Sequence, residues 1–140
     1  MKMPRNVKRW KTAIMSIKPE YANLIKSGVK RVEFRKTALR HLDRVIFYEI
    51  KPVQACTCET RVICHMRDKP NKIWEQCRTE AGIDRKTFDE YIGRKTEVTA
   101  LFLGDVIVFD EPKPLAEFGL DTHPQSFVYL DNWKRNEGKV

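Results

Sequence analysis

Strand-like segments follow one another directly along most of this 140-residue chain, and predicted helices interrupt them in only two places. Alternating segments, and segments rich in Val, Ile, Phe and Tyr, predict strands at 12–17, 30–36, 43–50, 53–66, 96–110 and 126–130. Strands that are neighbours in sequence favour an antiparallel or mixed sheet over a doubly wound one. We therefore predict an α+β fold, a small closed or nearly closed β-barrel of about five to six strands with flanking helices.

Proline, aspartate and glycine mark the limits of the predicted helices. Pro19 suits the first residue of a helix and Gly28 the residue after its end, which predicts one to two helical turns between them. A second helix is predicted over 70–82, and a third begins after Asp84 as its N-cap and ends at Gly93. The side chains that these two helices should bury are Ile73, Trp74, Cys77, Phe88, Tyr91 and Ile92.

Length and composition indicate a single domain over residues 1–140. A hydrophobic share of 41% suits a globular core, which we expect at about 12–130, between a loose basic N-terminus and a loose polar C-terminal tail. No run of about 18 apolar residues is present, and no apolar segment of the secretory type follows the basic first residues. We therefore expect a cytoplasmic protein that does not enter membranes.

Positive charge is concentrated in the first third of the chain. The formal net charge is +8. Residues 1–44 contain thirteen Lys or Arg and three acidic residues, whereas the remaining residues contain fourteen and sixteen. A basic surface of this kind attracts polyanions such as nucleic acid, and the alternative is a solvated face that only keeps the protein soluble.

The cysteines favour free thiols over a metal site. Cys56 and Cys58 fall in a strand-like segment, where a two-residue period points both side chains to one face. With Cys64 and His65 nearby, a zinc site is an alternative, but the spacing differs from the C-x₂₋₄-C of a zinc-binding turn. We therefore predict free thiols, Cys77 included, with no bound metal and no cofactor.

The densest group of side chains suited to binding or catalysis follows the first predicted helix. It consists of four residues: Gly28, Lys30, Glu33 and Arg35. Lys30 follows on the turn, and Glu33 and Arg35 project from the polar face of the next strand, opposite its buried apolar face. Arginine offers paired donors to phosphates or base edges, and Glu33 can hold Arg35 in position or accept from a base amino group. The alternative is a surface salt-bridge ladder of little energetic value.

These four residues match the pattern G-x-K-x-x-E-x-R, and the segment resembles the signature of the ASCH family. The helix start Ile17-Lys-Pro-Glu-Tyr-Ala and the later Pro124-Gln-Ser-Phe also resemble that family, so the likeness extends over about 12–130. The resemblance implies a PUA-like β-barrel with a cleft beside the motif, RNA binding and, in some members, enzymatic activity.

Two enzymatic branches of that family require different residues. The branch that hydrolyses the acetyl group of N4-acetylcytidine uses a threonine where this chain has Glu33, and a carboxylate cannot form the same acyl-enzyme. The branch that cuts single-stranded RNA is more similar and relies on a tyrosine, a lysine and a serine. The resemblance implies Tyr48 and Ser126 for two of these, whereas Gln54 stands at the lysine position. Lys51 lies three residues earlier, on the opposite face if the strand is regular.

Cleavage of this kind needs no metal ion, because the RNA 2′-OH attacks its own phosphate while the enzyme supplies a base, an acid and positive charge. Tyr48 and Ser126 are the candidates for moving a proton or binding a phosphate oxygen. The candidate cations are Lys30, Lys51 and Arg35. His41 and His123 are candidates only through closeness in sequence to other site residues, and each is more commonly a loop histidine.

Tyr48 alternates with Phe47, so one of them should face the core and the other the cleft, where a tyrosine can stack on an unpaired base. Trp133 is a second candidate for stacking.

We predict single-stranded RNA as the partner, bound by Lys30, Glu33, Arg35, Gly28 and Gln54, with Tyr48, Lys51 and Ser126 as catalytic candidates. Ribonuclease activity and non-catalytic binding of a nucleic acid or modified base remain alternatives, with acetylcytidine hydrolysis a third. The oligomeric state is not predicted.

Overall fold

The computed structural model describes residues 11–130. The predicted loose chain ends and Trp133 lie outside the described residues. The strands are β1 Thr12–Ile17, β2 Val32–Arg35, β3 Arg44–Glu49, β4 Ala55–Asp68, β5 Val98–Lys113 and β6 Phe127–Tyr129. The helices are α1 Pro19–Lys26, α2 Pro70–Cys77 and α3 Arg85–Ile92, with 3-10 turns at Arg78–Glu80 and Leu115–Phe118. Each predicted strand and helix is therefore present, with slightly different ends.

All six strands form one curled sheet, in the order β2-β5-β4-β3-β1-β6. β1 runs parallel to β3, and the other pairings are antiparallel. The curl is strong enough that Arg35 of the edge strand β2 binds the backbone carbonyl of Ser16 in β1, near the opposite edge. The predicted α+β architecture, a nearly closed barrel of about five to six strands, is confirmed.

Local signals set the ends of the helices. Pro19 is the first residue of α1, and Gly28, beyond its end, has a φ of 84°, which disfavours any residue with a side chain. The Asp84 carboxylate accepts a 2.8 Å hydrogen bond from the Thr87 backbone N–H and caps α3. Within residues 11–130, no helix is long and apolar enough to cross a membrane.

Helices α2 and α3 cover one face of β2 and β5. The buried side chains of this cluster include Val32, Phe34, Ile73, Cys77, Phe88, Ile92, Val98 and Ala100. Trp74 packs against the cluster but is only partly buried. Tyr91 is 37% exposed, so the prediction that it is buried was wrong. Phe88 and Ile92 already form the buried stripe of this short helix, and Tyr91 lies at the margin of that stripe.

Cys56 and Cys58 point to opposite faces of β4. The pairing of β3 with β4 shifts register, so that Phe47 lies opposite Cys58 and Tyr48 opposite Cys56, with Thr57 as the additional residue. Cys58 packs in the same buried cluster as Phe47, whereas Cys56 packs with Tyr48 in another. The prediction of a shared face was wrong because a bulge resets the two-residue period.

Candidate functional site

A cleft of about 380 Å³ occupies the gap between β1 and β2, where the two ends of the curled sheet approach each other. Helices α1 and α3 supply its sides. The lining residues are Ser16, Ile17, Lys18, Tyr21, Lys30, Glu33, Phe34, Arg35, Ile83, Thr87, Glu90 and Tyr91. The volume falls within the range typical of pockets for small ligands.

Glu33 and Arg35 lie on the same face of β2, as their spacing predicts, but both are only 8% exposed. Arg35 Nη2 lies 2.8 Å from Glu33 Oε2, so the two side chains form a buried ion pair. The expectation of a solvent-exposed polar face was wrong because the sheet curls until β1 and α3 cover that face. The alternative of a surface salt-bridge ladder is excluded on the same ground.

Arg35 connects the two sides of the cleft. Its Nη2 donates a 3.0 Å hydrogen bond to the backbone carbonyl of Ser16 in β1, and its Nη1 donates to the Ser126 Oγ at 3.4 Å. The Nε of Arg35 is buried without a hydrogen-bond partner among the described residues. A buried arginine donor that is left unpaired is costly, so the Nε–H gains stability by donating to any ligand acceptor that reaches it.

Lys30 follows the turn after α1, as predicted, but it is only 3% exposed and lies in the cleft wall. Its Nζ donates a 2.7 Å hydrogen bond to the Ala81 backbone carbonyl and lies 3.6 Å from Glu33 Oε1. The Phe34 ring centroid is 5.2 Å from the same ammonium. Burial lowers the pKa of Lys30, and the Glu33 carboxylate partly offsets that effect.

Gly82 packs against a residue of the site, and no sequence pattern had identified it as part of the site. It has a φ of 69°, and a Cβ atom there would come within 2.6 Å of the Lys30 Cβ. Gly28, by contrast, has open space where a Cβ would lie and borders a separate cavity of about 100 Å³. Gly28 therefore ends α1 instead of lining the main cleft, which corrects its predicted place in the groove.

Tyr48 is 4% exposed and does not line the cleft. It lies opposite Ser16 in the parallel pairing of β3 with β1. The His123 ring stacks on the Tyr48 ring, with centroids 5.3 Å apart and planes 9° apart. Phe47 is also buried, on the other face. The expectation that Tyr48 offers a free ring to a base was wrong, because an imidazole already covers it.

Ser126 lies at the junction of these elements. Its backbone carbonyl accepts a 3.0 Å hydrogen bond from the Ser16 N–H, and its Oγ accepts from Arg35. The structure thus brings Arg35 and Ser126 into contact and places Tyr48 one strand away, beside Ser16. Ser16 itself was missed in the sequence, although a serine within the apolar run of β1 is the kind of signal that marks such a position.

Lys51 and Gln54 lie in the turn between β3 and β4 and are both exposed. Gln54 has a φ of 54°, and the peptide bond from Lys51 to Pro52 is cis. Neither residue lines the cleft. Their placement on opposite faces depended on a regular strand, and that condition is not met, because β3 ends at Glu49 and the chain reverses before β4.

The remaining candidates are not part of the cleft. His41 is largely exposed, with its Nε2 2.7 Å from the Asp43 carboxylate. Cys64 and His65 are exposed on β4, whereas Cys56 is buried. Among residues 11–130, no three His, Cys, Asp or Glu side chains converge in a way that could hold a metal ion. The absence of a bound metal stays a prediction.

In comparison with known proteins, residues 15–113 of the chain match the family model of the ASCH domain. An ASCH domain-containing ribonuclease of Zymomonas mobilis is 30% identical over 97 residues, 68% of this chain and 66% of that relative. The crystal structure of ASCH from Zymomonas mobilis matches with a TM-score of 0.78 and 28% identity, over 91% of this chain and 90% of that one. A tyrosine-to-phenylalanine variant of that protein matches with the same TM-score and 26% identity, over 85% and 89% of the chains. These matches confirm the predicted PUA-like fold.

Proposed function

The chain belongs to the ASCH domain family, and from this premise we propose that it binds single-stranded RNA at the cleft and cleaves it without a metal ion. One arrangement carries the proposal: Arg35 reaches across the gap in the sheet to Ser126. Tyr48 lies beside Ser16, to which Arg35 also binds. These contacts support a site in which the Arg35 guanidinium acts together with the hydroxyl groups of Ser126 and Tyr48.

The reaction is attack of an RNA 2′-OH on the adjacent phosphorus with loss of the 5′-oxygen. Arg35 lines the cleft, where its guanidinium can stabilise the charge that develops on the phosphoryl oxygens. Ser126 can donate to the same oxygens, and Tyr48 can give its hydroxyl proton to the leaving oxygen. Side chains supply both the proton donor and the positive charge, so the proposal requires no metal.

The dimensions of the cleft favour a single strand. A volume of about 380 Å³ admits a group of the size of one nucleotide and is far too small for a duplex. Lys18 is exposed at the cleft and can contact the phosphate backbone. Two further observations fit the proposal: the relative named as a ribonuclease, and the related crystal structures with Tyr-to-Phe and Ser-to-Ala substitutions, the residue types of Tyr48 and Ser126.

A second candidate function is binding without cleavage. Lys51 and Gln54 lie outside the cleft lining, and Gln54 stands where the resemblance implies a lysine. The ammonium of Lys30 is bound to the Ala81 carbonyl and lies beside Glu33. The cleft can therefore hold one base or nucleotide in place while neither Lys30 nor Lys51 takes part in catalysis. Hydrolysis of an acetylated cytidine is disfavoured, because Glu33 is engaged by Arg35 and is no hydroxyl nucleophile.

The test is to follow cleavage of a labelled single-stranded RNA in EDTA, with a duplex of the same sequence as comparison. We expect Tyr48→Phe and Ser126→Ala each to lower kcat by about 100-fold or more, with little change in affinity for the 2′-deoxy analogue. The Tyr129 hydroxyl donates to the Arg40 carbonyl and the Ser27 hydroxyl to the Leu24 carbonyl, so Tyr129→Phe and Ser27→Ala are matched controls and should cleave like the wild type. Tight binding with no cleavage would favour the second candidate, and equal cleavage by all variants would refute the site.

A further inference from the structure

His123 lies on the segment between the 3-10 turn Leu115–Phe118 and β6. Its ring stacks on Tyr48 at a centroid distance of 5.3 Å, with the planes 9° apart. Whereas Tyr48 is only 4% exposed, His123 is exposed, so the imidazole lies on the solvent side of the pair. A molecule that approaches Tyr48 from solvent meets His123 at the same time.

Two hydrogen bonds from one residue of β1 anchor the segment that carries His123. The Ser16 Oγ donates to the Pro124 carbonyl at 2.5 Å, and the Ser16 N–H donates to the Ser126 carbonyl at 3.0 Å. The residues that flank His123 on its C-terminal side are therefore held against the sheet. The imidazole is therefore positioned beside Tyr48 before any ligand binds. Such positioning in advance is what a catalytic side chain requires.

Neither the charged residues of the motif nor Lys51 supplies the proton acceptor of the proposed reaction. Arg35 cannot be deprotonated, and Glu33 is paired with it at 2.8 Å. Lys30 donates to Ala81 in the cleft wall, and Lys51 lies in the turn outside the cleft. An imidazole is the side chain best suited to take a proton near neutral pH.

We infer that His123 is the general base of RNA cleavage, an inference that rests on the proposed function. His123 takes the proton of the 2′-OH on a ring nitrogen as the 2′-oxygen bonds to phosphorus. The bond from phosphorus to the 5′-oxygen breaks, and Tyr48 gives its hydroxyl proton to that oxygen. The products are a 2′,3′-cyclic phosphate and a 5′-hydroxyl, and proton exchange with water returns both side chains to their neutral forms.

The decisive comparison is between two substitutions of His123. His123→Phe keeps a flat ring on Tyr48 without a proton acceptor, whereas His123→Ala removes the ring. We expect both to lower kcat by about 100-fold or more and to leave the Kd for a 2′-deoxy oligonucleotide within about twofold. Free imidazole should restore part of the rate of His123→Ala in proportion to its concentration, but not that of His123→Phe, whose ring fills the space.

His65→Phe, on the exposed part of β4, is the matched control and should cleave like the wild type. Wild-type activity in His123→Phe would overturn the inference and leave the proposed ribonuclease function standing, since the ring would then serve only to pack on Tyr48. Loss of activity in His123→Ala without rescue by imidazole would also overturn it. Absence of cleavage by the wild type would refute both the inference and the ribonuclease proposal.

Discussion

Gly82 packs directly against Lys30: a Cβ atom at Gly82 would lie 2.6 Å from the Lys30 Cβ and 2.9 Å from its Cγ. The adjoining backbone binds the same segment, since the Lys30 Nζ donates to the Ala81 carbonyl and the Arg31 N–H to the Glu80 carbonyl. The turn after α2 is thus the support on which the lysine of the motif rests. Gly82, which the sequence predicted only as the end of a helix, therefore helps to set the position of the Lys30 side chain in the cleft.

Gly82→Ala should destabilise the protein by about 2–5 kcal/mol. About 1–2 kcal/mol comes from a side chain at positive φ, and the remainder from overlap with Lys30. Gly119→Ala is the matched control, because Gly119 has a φ of 80° but open space at the Cβ position, so only the backbone cost applies. Urea unfolding of both variants measures the difference, and equal destabilisation would contradict the close contact.

Glu33→Gln should lower the free energy of unfolding by about 2–4 kcal/mol. The substitution keeps the shape of the side chain but leaves the buried cations of Lys30 and Arg35 without their shared carboxylate. Glu97→Gln breaks the exposed pair with Arg67 and should cost less than about 1 kcal/mol. Similar values for the two variants in denaturant unfolding would show that the Glu33 cluster is not electrostatically coupled.

Cys64 should be the one fast-reacting thiol of the native protein at pH 8. It is exposed, whereas the other three cysteines are buried. Burial raises the pKa of Cys56 to about 12 and that of Cys58 and Cys77 to about 11, so these thiols stay protonated at pH 8 and are poor nucleophiles. A chromogenic disulfide reagent should titrate one thiol in buffer, none in Cys64→Ser, and all four after unfolding of the wild type. Rapid reaction of a second thiol would contradict this burial.

Affinity for a single-stranded oligonucleotide should fall steeply with salt, because each Lys or Arg that contacts a phosphate releases a cation from the nucleic acid, and the chain is strongly basic. Lys18→Gln should reduce the slope of log K against log salt by about 0.7, the value of one phosphate contact on a single strand. Lys72→Gln, exposed on α2 outside the cleft, should leave the slope unchanged. Fluorescence anisotropy at several salt concentrations measures these slopes, and a flat dependence would exclude phosphate contacts as the main source of affinity.

Local sequence was sufficient for the elements themselves. Pro19 and Gly28 bound α1, and Asp84 caps α3, because these residues act on the backbone within a few positions of themselves. The two-residue period of β2 correctly predicted that Glu33 and Arg35 share one face. The same period failed for Cys56 and Cys58, since the bulge at Thr57 depends on the pairing of two strands.

Only the tertiary structure decided what these elements meet. The hydrogen bond from Lys30 to Ala81 joins residues 51 positions apart, and that from Arg35 to Ser126 joins residues 91 positions apart. The Arg35 contact exists because the sheet curls until β2 approaches β1 and β6, and the Lys30 contact exists because the turn after α2 packs against the start of β2. Periodicity along one strand carries no information about either approach. The sequence by itself therefore determined the elements and the face on which Glu33 and Arg35 lie, while the curl of the sheet decided that this face is a buried cleft.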